Sequence, residues 1–200
     1  MNQAETLVPK YYLGIDPGGS SGAWAVLDEH KNIIATGLWP ELPSFNHITL
    51  ACLELVHSMP KQGVSSAFAF GENLGFWKGA LTVSKTPYVN ITPQHWQKEV
   101  LDNIPASESK VKGESISEAS RRRAGNTARM KAAVVGFVQR SIPASVELLK
   151  LKKSWGIADA ICMALFAIKH DRYDLRKVPS LLEKMKEVDN NLMKEINDEL

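Results

Sequence analysis

"YYLGIDPGGSSGAWAVLD", residues 11–28, sets one aspartate at the end of an apolar and aromatic run and follows it with four small residues among the next five. A carboxylate at the tip of a buried strand, with glycines that let other groups approach, is a place to hold a metal ion or a phosphate. Asp, Pro and Gly are also ordinary turn residues, so the stretch equally describes a polar hairpin. Further carboxylates have to decide between these readings.

Outward from that stretch, "YYLGI", "GAWAVLD" and "NIIATGLW" read as three strands joined by Gly-containing and polar turns, an antiparallel meander. "TLACLELV" and "TPYVNIT" read as two more strands. Between them, "NLGFWKGALTVSK" sets Leu74, Trp77 and Leu81 at helical spacing. "TPQHWQKEVLD" opens with Thr92 as N-cap and Pro93 at the first helical position. "NTARMKAAVVGFVQRS" puts Met130, Val134, Phe137 and Val138 on one face, and "GIADAICMALFAIKH" forms a stripe of Ile157, Ile161, Leu165 and Ile168. The polar segment from Ser107 to Asn126 is expected to be disordered. A strand meander followed by alternating strands and helices predicts an α/β domain with a mixed five-stranded sheet flanked by helices. That domain is expected to cover residues 1–173, with a helical tail over 174–200. In the tail, Leu181, Met185, Val188, Leu192 and Ile196 make one apolar stripe that serves either intramolecular packing or a dimer.

The 200 residues are 44% hydrophobic and 23% charged, an ordinary composition for one soluble domain. No apolar run approaches the roughly 18 residues of a membrane span, and "MNQAETLVPKYY" lacks the basic and apolar regions of a signal peptide. A cytoplasmic protein without membrane contact is expected. Cys52 and Cys162 sit among aliphatic residues with no paired or metal-type spacing, as buried thiols do. The five histidines show no HxxxH-type spacing, which argues against zinc. The net charge of +2 is unevenly spread: from Lys110 to Lys131 the chain carries "RRR" and four further cations.

Two more carboxylates stand out. Glu54 interrupts the apolar "ACLELVHS", where a lone charge is costly unless paired or coordinated. Asp159 opens the apolar "IADAICMALF", among alanines that let another surface come close. Each has a plain reading, a solvent-facing strand residue and a helix N-terminal acid. Three carboxylates on separate elements of apolar sequence also make an oxygen-ligand site suited to Mg²⁺.

The run "LELVHSMPKQGVSSAFAFGENLGFWKGAL", then "YVNITPQHWQKEV", then "GIADAICMAL", after "GIDPG", resembles the RuvC-like Holliday junction resolvases of phages and prophages. The resemblance extends in order from Tyr11 to about His170. It implies an RNase H-like fold, a homodimer on four-way or branched DNA in recombination or repair, and cleavage of two opposed strands with Mg²⁺, for which Mn²⁺ substitutes, and no nucleotide cofactor. It assigns Asp16, Glu54 and Asp159 as catalytic metal ligands. Two positions depart from the family pattern. Trp155 stands one helical turn before Asp159, where the family often has an acid or histidine. The connection between Trp39 and Leu50 is too short for the usual helix, which leaves open a register with "SSAFAFGE" as the strand and Glu72 as the ligand.

For DNA, Lys61, Gln62, Ser65 and Ser66 fall in the Gly-containing loop expected after the Glu54 strand, suited to holding phosphate oxygens. Phe68 and Phe70 either stack on unpaired bases or pack in the core. Arg121, Arg122, Arg123, Arg129 and Lys131 either contact the DNA arms or form a solvated helix start. Trp77 and Trp96 are expected in the core. Three functions remain open: a branch-specific endonuclease, a junction-binding protein weakened in cleavage by Trp155, and an actin- or hexokinase-type phosphotransferase. The last shares "GIDPGGSSG" but needs a second phosphate loop and lobe that these residues do not supply.

Overall fold

A computed structural model of the chain describes residues 9–18, 22–55, 63–150 and 155–171, so Lys61, Gln62 and the tail expected over 174–200 lie outside the described residues. Strands β1 (Tyr11–Asp16), β2 (Ala23–Asp28) and β3 (Ile33–Leu38) form the antiparallel meander. Strand β4 (Ile48–Glu54) then runs parallel to β1 on its other side, and β5 (Tyr88–Ile91) runs parallel to β4. The mixed sheet has the order β3-β2-β1-β4-β5. The helices are α1 (Val64–Val83), α2 (Pro93–Val100), α3 (Ile116–Ser141), the single turn α4 (Ser145–Leu148) and α5 (Trp155–Asp171).

The central strands are apolar at consecutive positions because both faces of the sheet are covered. In β1, alternation sends Leu13 and Ile15 to one face, where they join Ala51 and Leu53 of β4 and Trp77 and Leu81 of α1. Gly14, between them, faces the opposite way, against α5. A Cβ built on Gly14 falls 1.9 Å from the Ala160 carbonyl oxygen and 2.6 Å from the Ala164 nitrogen, so strand and helix meet backbone to backbone. That contact demands glycine on the strand and alanine on the helix. It also accounts for a correction: α5 is not amphipathic with one stripe but is buried on nearly every side, nine of its residues from Ile157 to Ala167 included.

Three further local expectations are corrected. Helix α1 begins at Val64, well before Leu74, so Ser65 and Ser66 belong to its first turn and not to a loop. "SSAFAFGE" is therefore helical, and Glu72 lies exposed on α1, while Glu54 ends β4. The segment expected to be disordered turns helical at Ile116. There Ser115 and Glu118 close a capping box, the Ser115 hydroxyl accepting from the Glu118 amide while the Glu118 carboxylate accepts from the Ser115 amide. Residues 108–114 are tied onto that helix by ion pairs from Arg122 to Glu114 and from Arg129 to Glu108, each at 2.8 Å. At α2, Thr92 holds the N-cap position and Pro93 the first helical one, but the Thr92 side chain makes no capping bond. The short connection after β3 carries no helix, as its length required. Among the described residues no helix is long and apolar enough to cross a membrane.

Candidate active site

Strand pairing brings the first two carboxylates together. Gly14 pairs with Cys52 and Ile15 with Leu53, so the next step along these parallel strands places Asp16 beside Glu54. Both follow the alternation of Gly14 and Cys52 and face α5. The third carboxylate comes from that helix: Asp159 adjoins Ala160, whose carbonyl closes on Gly14. Three elements thus deliver Asp16, Glu54 and Asp159 to one end of the sheet, all half-buried.

Their electrostatics reflect the crowding. Burial, then repulsion from Glu54 and Asp159, holds the Asp16 carboxyl well above the ordinary carboxylate range, with the Lys131 ammonium opposing. Burial and then the Glu54 charge push Asp159 up to about 7, again against Lys131. Burial raises Glu54, and a hydrogen bond from Trp96 pulls it back. That bond runs from the buried indole Nε1 of Trp96 to Glu54 Oε1 at 3.0 Å and fixes the carboxylate's orientation. Trp96 belongs to the core, as expected, but its polar handle on Glu54 has no signature in the sequence, because nothing local links two residues 42 positions apart.

The donor set is all oxygen and carries an excess of negative charge, which suits a hard divalent cation. The carboxylates repel one another without converging on a single point: among the described residues, no three His, Cys, Asp or Glu side chains lie close enough to hold an ion as they stand. Trp155 supplies no fourth ligand. The residue is 54% exposed, and its ring lies under the Lys131 ammonium, with Nζ 4.5 Å from the ring centroid.

The basic residues divide into three groups. Arg122 gives Nε and Nη2 to Glu114, and Arg129 gives its guanidinium to Glu108 and Asn126, so both are structural clamps on residues 108–114. Arg121 and Arg123 are exposed on α3 and pair with none of the described residues. Lys131 sits over Trp155, and its charge acts on Asp16 and Asp159, which the charge count along the sequence did not distinguish from the arginines. Phe68 is 72% exposed on α1 and Phe70 is half-buried, so neither is part of the core.

No protein-family model and no curated protein matches the sequence. Among solved structures, Thermus thermophilus RuvC in complex with a Holliday junction substrate aligns over 82% of this chain and 96% of its own, with a TM-score of 0.50 and 15% identity. A second Thermus thermophilus RuvC structure aligns over 81% and 95%, with a TM-score of 0.44 and 15% identity. On the first alignment and on its own sheet order, the chain has the RNase H-like fold of RuvC: a mixed five-stranded sheet flanked by helices.

Proposed function

We propose that this protein is a structure-specific endonuclease that resolves Holliday junctions or related branched DNA by phosphodiester hydrolysis, with Asp16, Glu54 and Asp159 holding a divalent cation. The observation that carries this reading is the placing of three half-buried carboxylates at one end of the sheet, two at adjacent strand ends and one on α5 beside the Gly14 contact. Shared fold with a protein that binds a Holliday junction adds support. Mg²⁺, or Mn²⁺ in its place, would supply Lewis acidity for attack on the phosphodiester. The chain's own part is to present the three carboxylates from a rigid sheet and helix, with Trp96 fixing the rotation of Glu54. Lys131 adds a positive charge that acts on Asp16 and Asp159.

Cutting two opposed strands needs two such centres, which a homodimer provides. Helix α1 offers a face for it: Val64, Phe68 and Val83 are exposed, and at Gly71, Gly75 and Gly79 a Cβ would meet nothing within 4 Å. On the DNA side, Arg121 and Arg123, exposed on α3 and unpaired among the described residues, are suited to the phosphates of the arms, with Ser65 and Ser66 and, outside the described residues, Lys61 and Gln62 as further contacts. Such a protein acts in the cytoplasm, in DNA recombination or repair.

The test is a synthetic four-way junction labelled on each strand in turn and incubated with protein and Mg²⁺. Paired cuts in two opposed strands, with a linear duplex of the same sequence left intact, are expected. A protein that retains the junction but cuts no strand would instead be a junction-binding protein, a second reading favoured by the Trp155 position and by carboxylates that do not converge. Equal indifference to junction and duplex would contradict both.

A further inference from the structure

Between α3 and the start of α5 runs an open groove of about 470 Å³, lined by Ala124, Ala128, Ala132 and Val135 of α3 together with Thr127, Lys131 and Trp155. Successive residues of the α3 wall are three and four apart, so they share one helix face, and their small side chains leave a shallow apolar floor. A tryptophan 54% exposed beside such a floor keeps a large aromatic surface in water, where burial would otherwise be favourable. Trp155 lies four residues before Asp159 and therefore on the same side of α5. The Lys131 ammonium sits over its ring and is near enough for its charge to act on Asp16 and Asp159, so one cation links the groove with the candidate active site.

We propose that this groove binds one unpaired nucleotide of the branched DNA, its base stacked on Trp155 and its phosphate held by Lys131. The inference rests on the endonuclease reading and names what that site takes: a strand with an unstacked base beside the phosphodiester to be cut. An aromatic face, an apolar floor and a neighbouring ammonium are the parts from which sequence-tolerant single-strand sites are built. A protein or lipid partner fits less well, because the groove sets one ammonium against one aromatic face, a pair matched to a phosphate and its base. Paired duplex is excluded by its own stacking, since a base has to leave the helix to lie on the ring.

The experiment uses the full chain in chelator, so that nothing is cut. Wild type, Trp155→Ala, Trp155→Phe and Lys131→Ala are titrated with a single-stranded oligonucleotide carrying 2-aminopurine, with a four-way junction carrying it at the crossover, and with duplex. Trp155→Ala is expected to weaken single-strand and junction binding about 5- to 150-fold and to abolish quenching of the 2-aminopurine, with duplex binding unchanged. Trp155→Phe should keep most of both signals. Lys131→Ala should lower the salt slope of single-strand binding by about one ion or slightly less. A Trp155→Ala protein that binds and quenches like wild type overturns the groove, and if wild type still prefers junction to duplex the endonuclease reading survives. If instead single strands are held through Trp155 but junctions are not preferred to duplex, the groove stands and the branched-DNA reading falls.

Discussion

At Asp16, Glu54 and Asp159 three half-buried carboxyls stand at one end of the sheet; burial raises all three, and repulsion from neighbouring carboxylates raises Asp16 and Asp159 further. The folded protein therefore keeps protons that the unfolded chain has already released. Stability from this site is greatest in acid and is lost as pH climbs from the ordinary aspartate value of 3.8 through the raised Asp159 value of about 7. Each tenfold change in proton affinity corresponds to about 1.4 kcal/mol once the group ionises. Metal-free protein should accordingly melt at a lower temperature at pH 8 than at pH 5, and Mg²⁺ should raise the melting temperature more at pH 8. In Asp159→Asn the fall with pH should shrink and the Mg²⁺ gain should largely vanish, while cleavage drops below a few per cent of wild type. A melting temperature that Mg²⁺ raises equally in wild type and Asp159→Asn would remove that residue from the site. Gly14 tests the same site from the backbone. Its replacement by Ala forces a methyl into the Ala160 and Ala164 main chain, with nothing flexible to yield. A loss of at least about 1–3 kcal/mol in denaturant unfolding is expected, with cleavage lost as Asp159 is levered from Asp16.

Among the elements, α3 separates cations that the sequence presents as one cluster. Arg121→Ala with Arg123→Ala should leave the melting temperature unchanged and reduce the salt slope of junction binding by about two ions. Arg122→Ala should lower thermal stability, since it leaves Glu114 without the partner that holds its carboxyl below the usual range. A flat salt slope change in the first variant would make those arginines bystanders. Helix α1 carries its own prediction. Phe68→Glu together with Gly75→Glu should shift sedimentation toward monomer and leave nicks in one strand that outlast paired cuts. A double variant that stays dimeric at micromolar concentration would move the interface elsewhere.

Across the whole molecule, what the sequence shows directly is what depends on local pattern. The five strands and the α5 helix announce themselves through apolar runs and turn residues, and Asp16, Glu54 and Asp159 through their isolation in those runs. The start of α3 was hidden because a Ser, Glu and Arg-rich segment reads as solvated until its capping box and the Arg122–Glu114 pair are seen to close it. The early start of α1 was hidden because the stretch from Val64 to Gly71 offers alternating Ser, Ala and Phe and then a glycine, which reads as loop or strand more readily than as helix. Trp96 on Glu54 and Lys131 on Trp155 were not legible at all, because each contact joins elements that only the folded sheet brings together.

The central claim is that this sheet end cuts two opposed strands at a branch. Supercoiled plasmid bearing an extruded cruciform, treated with wild type or Asp16→Asn in Mg²⁺, puts it to the test most directly. Linear plasmid from wild type, and intact plasmid retained in complex by Asp16→Asn, is the predicted result. Linear product at wild-type rate from Asp16→Asn, or no linear product from wild type, would contradict it.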